Sequence, residues 1–341
     1  MSECGASRKR ARVESLEEPV RDEEFWFEDG TVTLVAGDIQ FLVYKGILAN
    51  SSPVFNDMFS LPQPLDHDDS HGPTPSAIPV VHLSDSPADL RCLLRLQMPG
   101  TDARFSFPNP SFQTISACIR LGHKYQMEHL VLQSLEYLSA YYPEDLKTFI
   151  LSDTHIPPNF SPEHAVGVVN LARLLDEPSL LPTALLACCQ LSGPTLVAGF
   201  EREDGSRETL TPEDLGLCIQ AKESLIRASV GLALRVCAPA ASHKCDSGET
   251  CGRAIQAFYN SIETRKDHLT SVNPFVDWLK PWADGVKRRT EAPCSRCIIA
   301  FAARNEMERH VLWARLPSIL GVEVAGWAEV WQVLAAQVAG P

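Results

Sequence analysis

Apolar and polar residues alternate with a strand's period near the start of this chain and with a helix's period over most of the rest. Val32-Thr33-Leu34-Val35 is a short apolar run, Ala36-Gly37-Asp38 supplies a turn, and Ile39, Phe41 and Val43 then alternate with Gln40, Leu42 and Tyr44. Gly-Asp between two β-rich runs predicts a hairpin, and a period of two predicts partly buried strands. Ser51-Ser52-Pro53 predicts a helix start, a hydroxyl cap ahead of a proline at the first helical position. Val54, Phe55, Met58 and Phe59 give that helix its apolar face. Pro79 to Leu83 reads as a third strand, and Ser86-Pro87-Ala88-Asp89 as the cap of a helix bearing Leu90, Leu93, Leu94 and Leu96. Phe112, Ile115, Cys118, Ile119 and Gly122, followed by Met127, Leu130, Val131, Leu135 and Leu138, predict a regular helical pair.

Beyond residue 145 the pattern is helical. Ser161-Pro162-Glu163 reads as a cap for Ala165, Val168, Val169, Ala172 and Leu175. Leu180 to Leu191 is an apolar stretch that Gly193-Pro194 ends, and residues 201–208 read as a polar loop. Thr211-Pro212-Glu213-Asp214 opens a long helix, with an acid three residues after the capping hydroxyl. A further helix is expected over Arg253–His268, and Trp278, Trp282, Trp313, Trp327 and Trp331 are expected to bury apolar area around it. Residues 1–24 are charged and aperiodic and read as a disordered tail. Residues 62–78, rich in Pro, Asp, Ser and His, read as a flexible insertion in which His67 and His71 are solvated.

The opening stretch resembles the BTB (POZ) domain. That family shows two strands, a basic residue, a Leu-Ala pair, then Ser-Pro-x-Phe-x-x-Met-Phe; here these are Lys45, Leu48-Ala49 and Ser52-Pro53-Val54-Phe55-Asn56-Asp57-Met58-Phe59. Leu121-Gly122-His123-Lys124-Tyr125 resembles the Leu-Ala-x-Lys-Tyr junction of the family's last helices. Tyr44 stands where the family has His, and Asp29 lies two residues before the slot that Thr31 fills. The resemblance implies an α+β fold for residues 25–145, a small mixed sheet flanked by helices, followed by an all-helical region over 146–341. It also implies self-association as a homodimer and recruitment of protein partners. Some members bind cullin ubiquitin-ligase scaffolds through an apolar-x-Glu motif. No Glu occurs between Asp89 and Glu128, which counts against a cullin partner, and a substrate adaptor of a cullin ubiquitin ligase stands as an alternative reading.

Composition narrows the function classes. At 341 residues and 45% hydrophobic, the chain is long and apolar enough for two cored domains. No apolar run approaches the ~20 residues of a membrane helix, and the polar N-terminus lacks a secretory pattern, so an intracellular protein is expected. A net charge of -13 opposes general binding to nucleic acid. The basic cluster Arg8, Lys9, Arg10 and Arg12 reads equally as a nuclear localisation signal or as a solvated tail. With the cysteine pairs described below it supports an alternative, a nuclear transcription regulator, for which the Lys287-Arg288-Arg289 patch is too short to decide. No phosphate loop, nucleophile elbow or His-Glu-x-x-His motif is present, and the expectation is a non-enzyme.

Eleven cysteines without an export pattern point to reduced thiols or metal ligands rather than disulfides. Cys245 and Cys251 lie in His-Lys-Cys-Asp-Ser-Gly-Glu-Thr-Cys, and Cys294 and Cys297 form a C-x-x-C knuckle. Two thiolate pairs suit one structural, tetrahedral zinc. His243 and Cys237 are possible substitutes for one ligand, and metal-free thiols are the alternative. Cys92, Cys118, Cys188, Cys189 and Cys218 fall on apolar faces and read as small core residues. Phe25-Trp26-Phe27 needs burial, either against a partner or over the domain's own core, and with Lys45 makes the candidate interaction surface.

Overall fold

Gly37, at φ 55°, makes the tight turn that joins β2 (Val32–Ala36) to β3 (Ile39–Val43). This left-handed conformation costs a glycine little. The structure, a computed structural model, describes residues 19–61, 78–98, 109–152, 155–280, 282 and 292–327. His67, His71 and the rest of the expected insertion up to residue 77, the Lys287-Arg288-Arg289 patch and Trp331 lie outside the described residues. The chain divides into two units, Met1–Ser106 with Tyr125–Met127, and Phe107–Lys124 with Glu128–Pro341.

The first unit holds a four-stranded sheet in the order β1-β3-β2-β4. β2 and β3 pair antiparallel with Leu34 opposite Phe41, while β1 (Val20–Trp26) runs parallel to β3 and β4 (Val80–Leu83) parallel to β2. β1 corrects the reading of residues 1–24, because the strand begins at Val20. Its charged residues are satisfied in place. Asp22 accepts from the N–H groups of Glu24 (3.0 Å) and Phe25 (2.9 Å), the register with β3 shifts there, and the carboxylate pairs with Arg91 at 2.6 Å. Glu24 pairs with Arg95 at 2.6 Å.

Helices α1 (Lys45–Ser51) and α2 (Pro53–Ser60) meet at Ser52, whose hydroxyl accepts from the Phe55 N–H (3.0 Å) and donates to the Tyr125 carbonyl (2.6 Å). Phe55 is fully buried and stacks on Tyr125 at 4.2 Å. Ser86 caps α3 (Pro87–Gln97) as its Ser-Pro pair predicts.

Among the described residues the second unit is helical apart from one two-stranded ribbon. In chain order it holds α4 (Phe112–Lys124), α5 (Glu128–Tyr141), α6 (Leu146–Leu151), α7 (His164–Leu174), α8 (Leu181–Gln190), α9 (Gly193–Ala198), β5 (Phe200–Glu201), β6 (Arg207–Glu208) and α10 (Pro212–Val236). Then follow α11 (Gly248–Tyr259), α12 (Lys266–Leu269), α13 (Ser295–Ala314) and α14 (Leu316–Leu320). Trp278, Trp282, Trp313 and Trp327 are buried in its core; Trp313 donates to the Glu144 carbonyl (2.8 Å) and Trp327 to that of Trp313 (2.9 Å).

Local expectations in this unit need four corrections. Ser161 does not cap α7: its N–H donates to His164 Nδ1 (3.0 Å), and the helix starts only at His164. Gly193-Pro194 opens a helix rather than ending one, since Ser192 caps α9, and proline suits a first turn as well as a break. Residues 200–208 form the β5–β6 ribbon, with Glu208 buried and held by Arg120 (2.6 Å), Arg202 (3.0 Å) and Asn170 (3.0 Å). The expected Arg253–His268 helix starts earlier, at Gly248, and α11 stops at Tyr259, before a short 3-10 turn and α12.

Candidate functional site

The four cysteines are placed by two helix starts and one loop. Cys251 lies in the first turn of α11, Cys294 stands at the N-terminal boundary of α13, Cys297 sits in its first turn, and Cys245 stands on the loop between α10 and α11. Their sulfurs all lie within 4.8 Å of one another, with Cys245 and Cys294 at 3.9 Å. Four sulfurs about 2.3 Å from one tetrahedral ion would be about 3.8 Å apart, so this group is close enough to bind a single metal ion. Sulfur-directed N–H groups surround it. Cys294 N–H donates to the Cys251 sulfur (3.1 Å) and Ser242 N–H to that of Cys297 (3.4 Å).

The electrostatics divide the thiols. The backbone N–H groups of Asp246 and Cys297 push Cys294 down to about 6, whereas burial pushes Cys297 up to about 12 and raises Cys251. A coordinating metal would deprotonate all four. The positive ends of α11 and α13 would favour the net negative charge of a divalent ion with four thiolates. Cys251, Cys297 and Ile255 form a small apolar cluster separate from the main core.

All four sequence-predicted ligands come together, and the two possible substitutes do not join them. His243 is exposed and outside the group. Cys237 is buried in the main core, where desolvation pushes its thiol up to about 12. Cys92, Cys118, Cys188, Cys189 and Cys218 are buried. Sequence reasoning missed two arginines. Arg304 donates to the carbonyls of Val236 (3.3 Å), Ala238 (3.0 Å) and Ala240 (3.2 Å), fixing the chain that leads to Cys245. Arg296 donates to the Lys244 carbonyl (3.0 Å) and pairs with Asp246 (2.9 Å). Their nearness in sequence to the knuckle is a faint signal, because the partners lie 50 or more residues away.

The aromatic cluster is split. Phe25 is 1% exposed and belongs to the core, which corrects its assignment to an interaction surface: the register shift at Asp22 turns it inward. Trp26 and Phe27 are half-buried, Trp26 beneath the Arg21 guanidinium (4.5 Å) and Phe27 against Tyr44 (4.9 Å). The Tyr44 hydroxyl donates to Asp29 (2.7 Å), and Lys45 is exposed with its N–H on Thr31 Oγ1 (2.9 Å). β1 and β4 are the edges of the sheet, and Val20 and Val80 are 63% and 49% exposed.

Residues 24–141 match the family model of the BTB/POZ domain. The N-terminal half of this chain carries a BTB/POZ domain. The match runs from β1 to the end of α5 and so contains Trp26, Phe27 and Lys45, while the four clustered cysteines lie beyond it. No curated protein matches the chain. A BTB/POZ domain makes this an interaction module in general terms. Among the described residues no helix is long and apolar enough to cross a membrane. Arg8, Lys9, Arg10 and Arg12 lie outside the described residues.

Proposed function

We propose that this chain is a non-catalytic interaction protein. Its BTB/POZ domain pairs with a second copy and recruits protein partners, and one structural zinc on Cys245, Cys251, Cys294 and Cys297 anchors its C-terminal helices. The family match over residues 24–141 carries the first part, supported by β1 and β4 as the sheet's edge strands among the described residues and by the half-exposed Trp26 and Phe27. Homodimer interfaces bury large apolar areas, and half-exposed aromatics beside an edge strand supply such area. Light scattering at micromolar concentration tests it: twice the 37.6 kDa chain mass is expected. A monomeric mass that does not change on dilution overturns it.

The mutual approach of the four sulfurs within 4.8 Å supports the zinc. Four thiolates leave no open position for catalysis, so the role is structural. Purified protein should carry about one zinc per chain. Cys297→Ser should lower both that content and the helicity of the C-terminal region, leaving the BTB/POZ helices intact.

A further inference from the structure

We propose that the four-cysteine site is a redox-sensitive clamp, opened by peroxide through a disulfide between Cys245 and Cys294 that releases the first two turns of α11. This rests on the zinc reading above. The sulfurs fall into two pairs by exposure. Cys251 and Cys297 are 0% and 3% exposed, whereas Cys245 and Cys294 are half-buried. A small oxidant therefore meets the outer pair first. Those two sulfurs are 3.9 Å apart, and a disulfide of ~2.05 Å needs an approach of about 2 Å. Cys245 stands on a loop, outside any helix, so that movement leaves α11 and α13 unbroken.

The chemistry balances with hydrogen peroxide as the oxidant. One outer thiolate attacks a peroxide oxygen, the O–O bond breaks, hydroxide leaves and a sulfenic acid forms. The other thiolate attacks that sulfur and expels a second hydroxide as the S–S bond closes. Two electrons pass from the two sulfurs to peroxide. The ion keeps two of its four ligands and dissociates as the divalent cation. A thiol reductant with added zinc reverses the sequence.

The products are unequal. The disulfide still ties the loop to the start of α13, but Cys251, the ligand that tethers α11, is left with no covalent or coordinate link. The far end of α11 remains held by Phe258 in the main core. The first two turns of α11 are thus what oxidation sets free.

The test uses the full-length protein as purified. Its zinc is measured first, and a chain without zinc removes both the zinc reading and the clamp. Zinc-bearing protein is then titrated with hydrogen peroxide while a chromogenic chelator follows release, and unreduced peptides are mapped by mass spectrometry. The expected result is loss of one zinc per chain, a Cys245–Cys294 disulfide, faster amide exchange over residues 248–255, and unchanged exchange in α10. Cys245→Ser should abolish that disulfide; should this variant fail to fold, the wild-type peptide map decides alone. Zinc retained under peroxide, or a main disulfide of Cys294–Cys297 or Cys251–Cys297, leaves the zinc reading standing and overturns the clamp.

Discussion

Gly199 lies so close to the Glu208 carbonyl that a Cβ at this position would fall 1.9 Å from the oxygen. Its backbone, at φ 63° and ψ -145°, is in a region that side-chain-bearing residues avoid. Gly199→Ala should therefore pry β5 from β6 and disturb the buried Glu208 with its arginine partners. Strain alone should cost about 1–3 kcal/mol. An unchanged melting temperature would show that the ribbon adapts without loss.

The Ser52 hydroxyl serves two partners at once, as cap for α2 and as donor to the buried chain at Tyr125. Ser52→Ala removes both bonds and should destabilise by about 1–3 kcal/mol. Phe55→Ala beside it empties a fully buried site and should cost about 3–5 kcal/mol. Denaturant melts of the two variants check the ranking. A loss below about 1 kcal/mol for Phe55→Ala contradicts its placement in the core.

Stability should fall as the solution turns mildly acidic. Desolvation lowers the pKa of His164, which packs against Phe112 at 4.6 Å and whose Nδ1 accepts the Ser161 N–H. Burial lowers His155 and His310 as well. A folded pKa below the unfolded ~6.5 means that the unfolded chain takes the proton first. The contribution is complete above ~6.5 and is lost as pH falls through the folded value. Thermal melts should decline as pH falls below about 6.5. His164→Asn, which keeps an acceptor without the titration, should shrink that decline; an identical pH profile in the variant would exclude His164 as a source.

Arg304 should matter to metal affinity although it touches no sulfur. It holds three carbonyls on the path to Cys245, and outer supports of this kind typically set affinity by 10–100-fold. Competition with a chromogenic chelator should show zinc held more weakly by about that factor in Arg304→Ala. Equal affinity would mean that the loop is ordered without it.

Features specified by neighbouring residues were legible in the sequence. The β2–β3 hairpin, the helix starts at Ser52, Ser86 and Thr211, and the buried tryptophans each follow from a short motif or from residue size. The four cysteines were legible by type and pairing, since reduced thiols in pairs limit the chemistry they can do. β1 was not, because its Asp22 and Glu24 look solvated until Arg91 and Arg95 arrive from about 70 residues away. For Phe25 the sequence leaves partner and core open, and burial at 1% exposure settles on the core. Gly193-Pro194 was ambiguous because proline both stops and starts helices. Glu208 in an apparent polar loop gave no sign of burial, since its partners come from α4, α7 and its own ribbon.

The bond from Ser52 to Tyr125 spans 73 positions, and this has a consequence during synthesis. The ring of Phe55 leaves the ribosome long before the Tyr125 ring on which it stacks. At ~5–20 residues per second that interval lasts about 3.5–14 seconds. Throughout it the apolar face of α2 lacks the Tyr125 part of its native cover. A chaperone that binds emerging apolar segments would find its target here, on the stretch from Val54 to Phe59, until residue 125 appears.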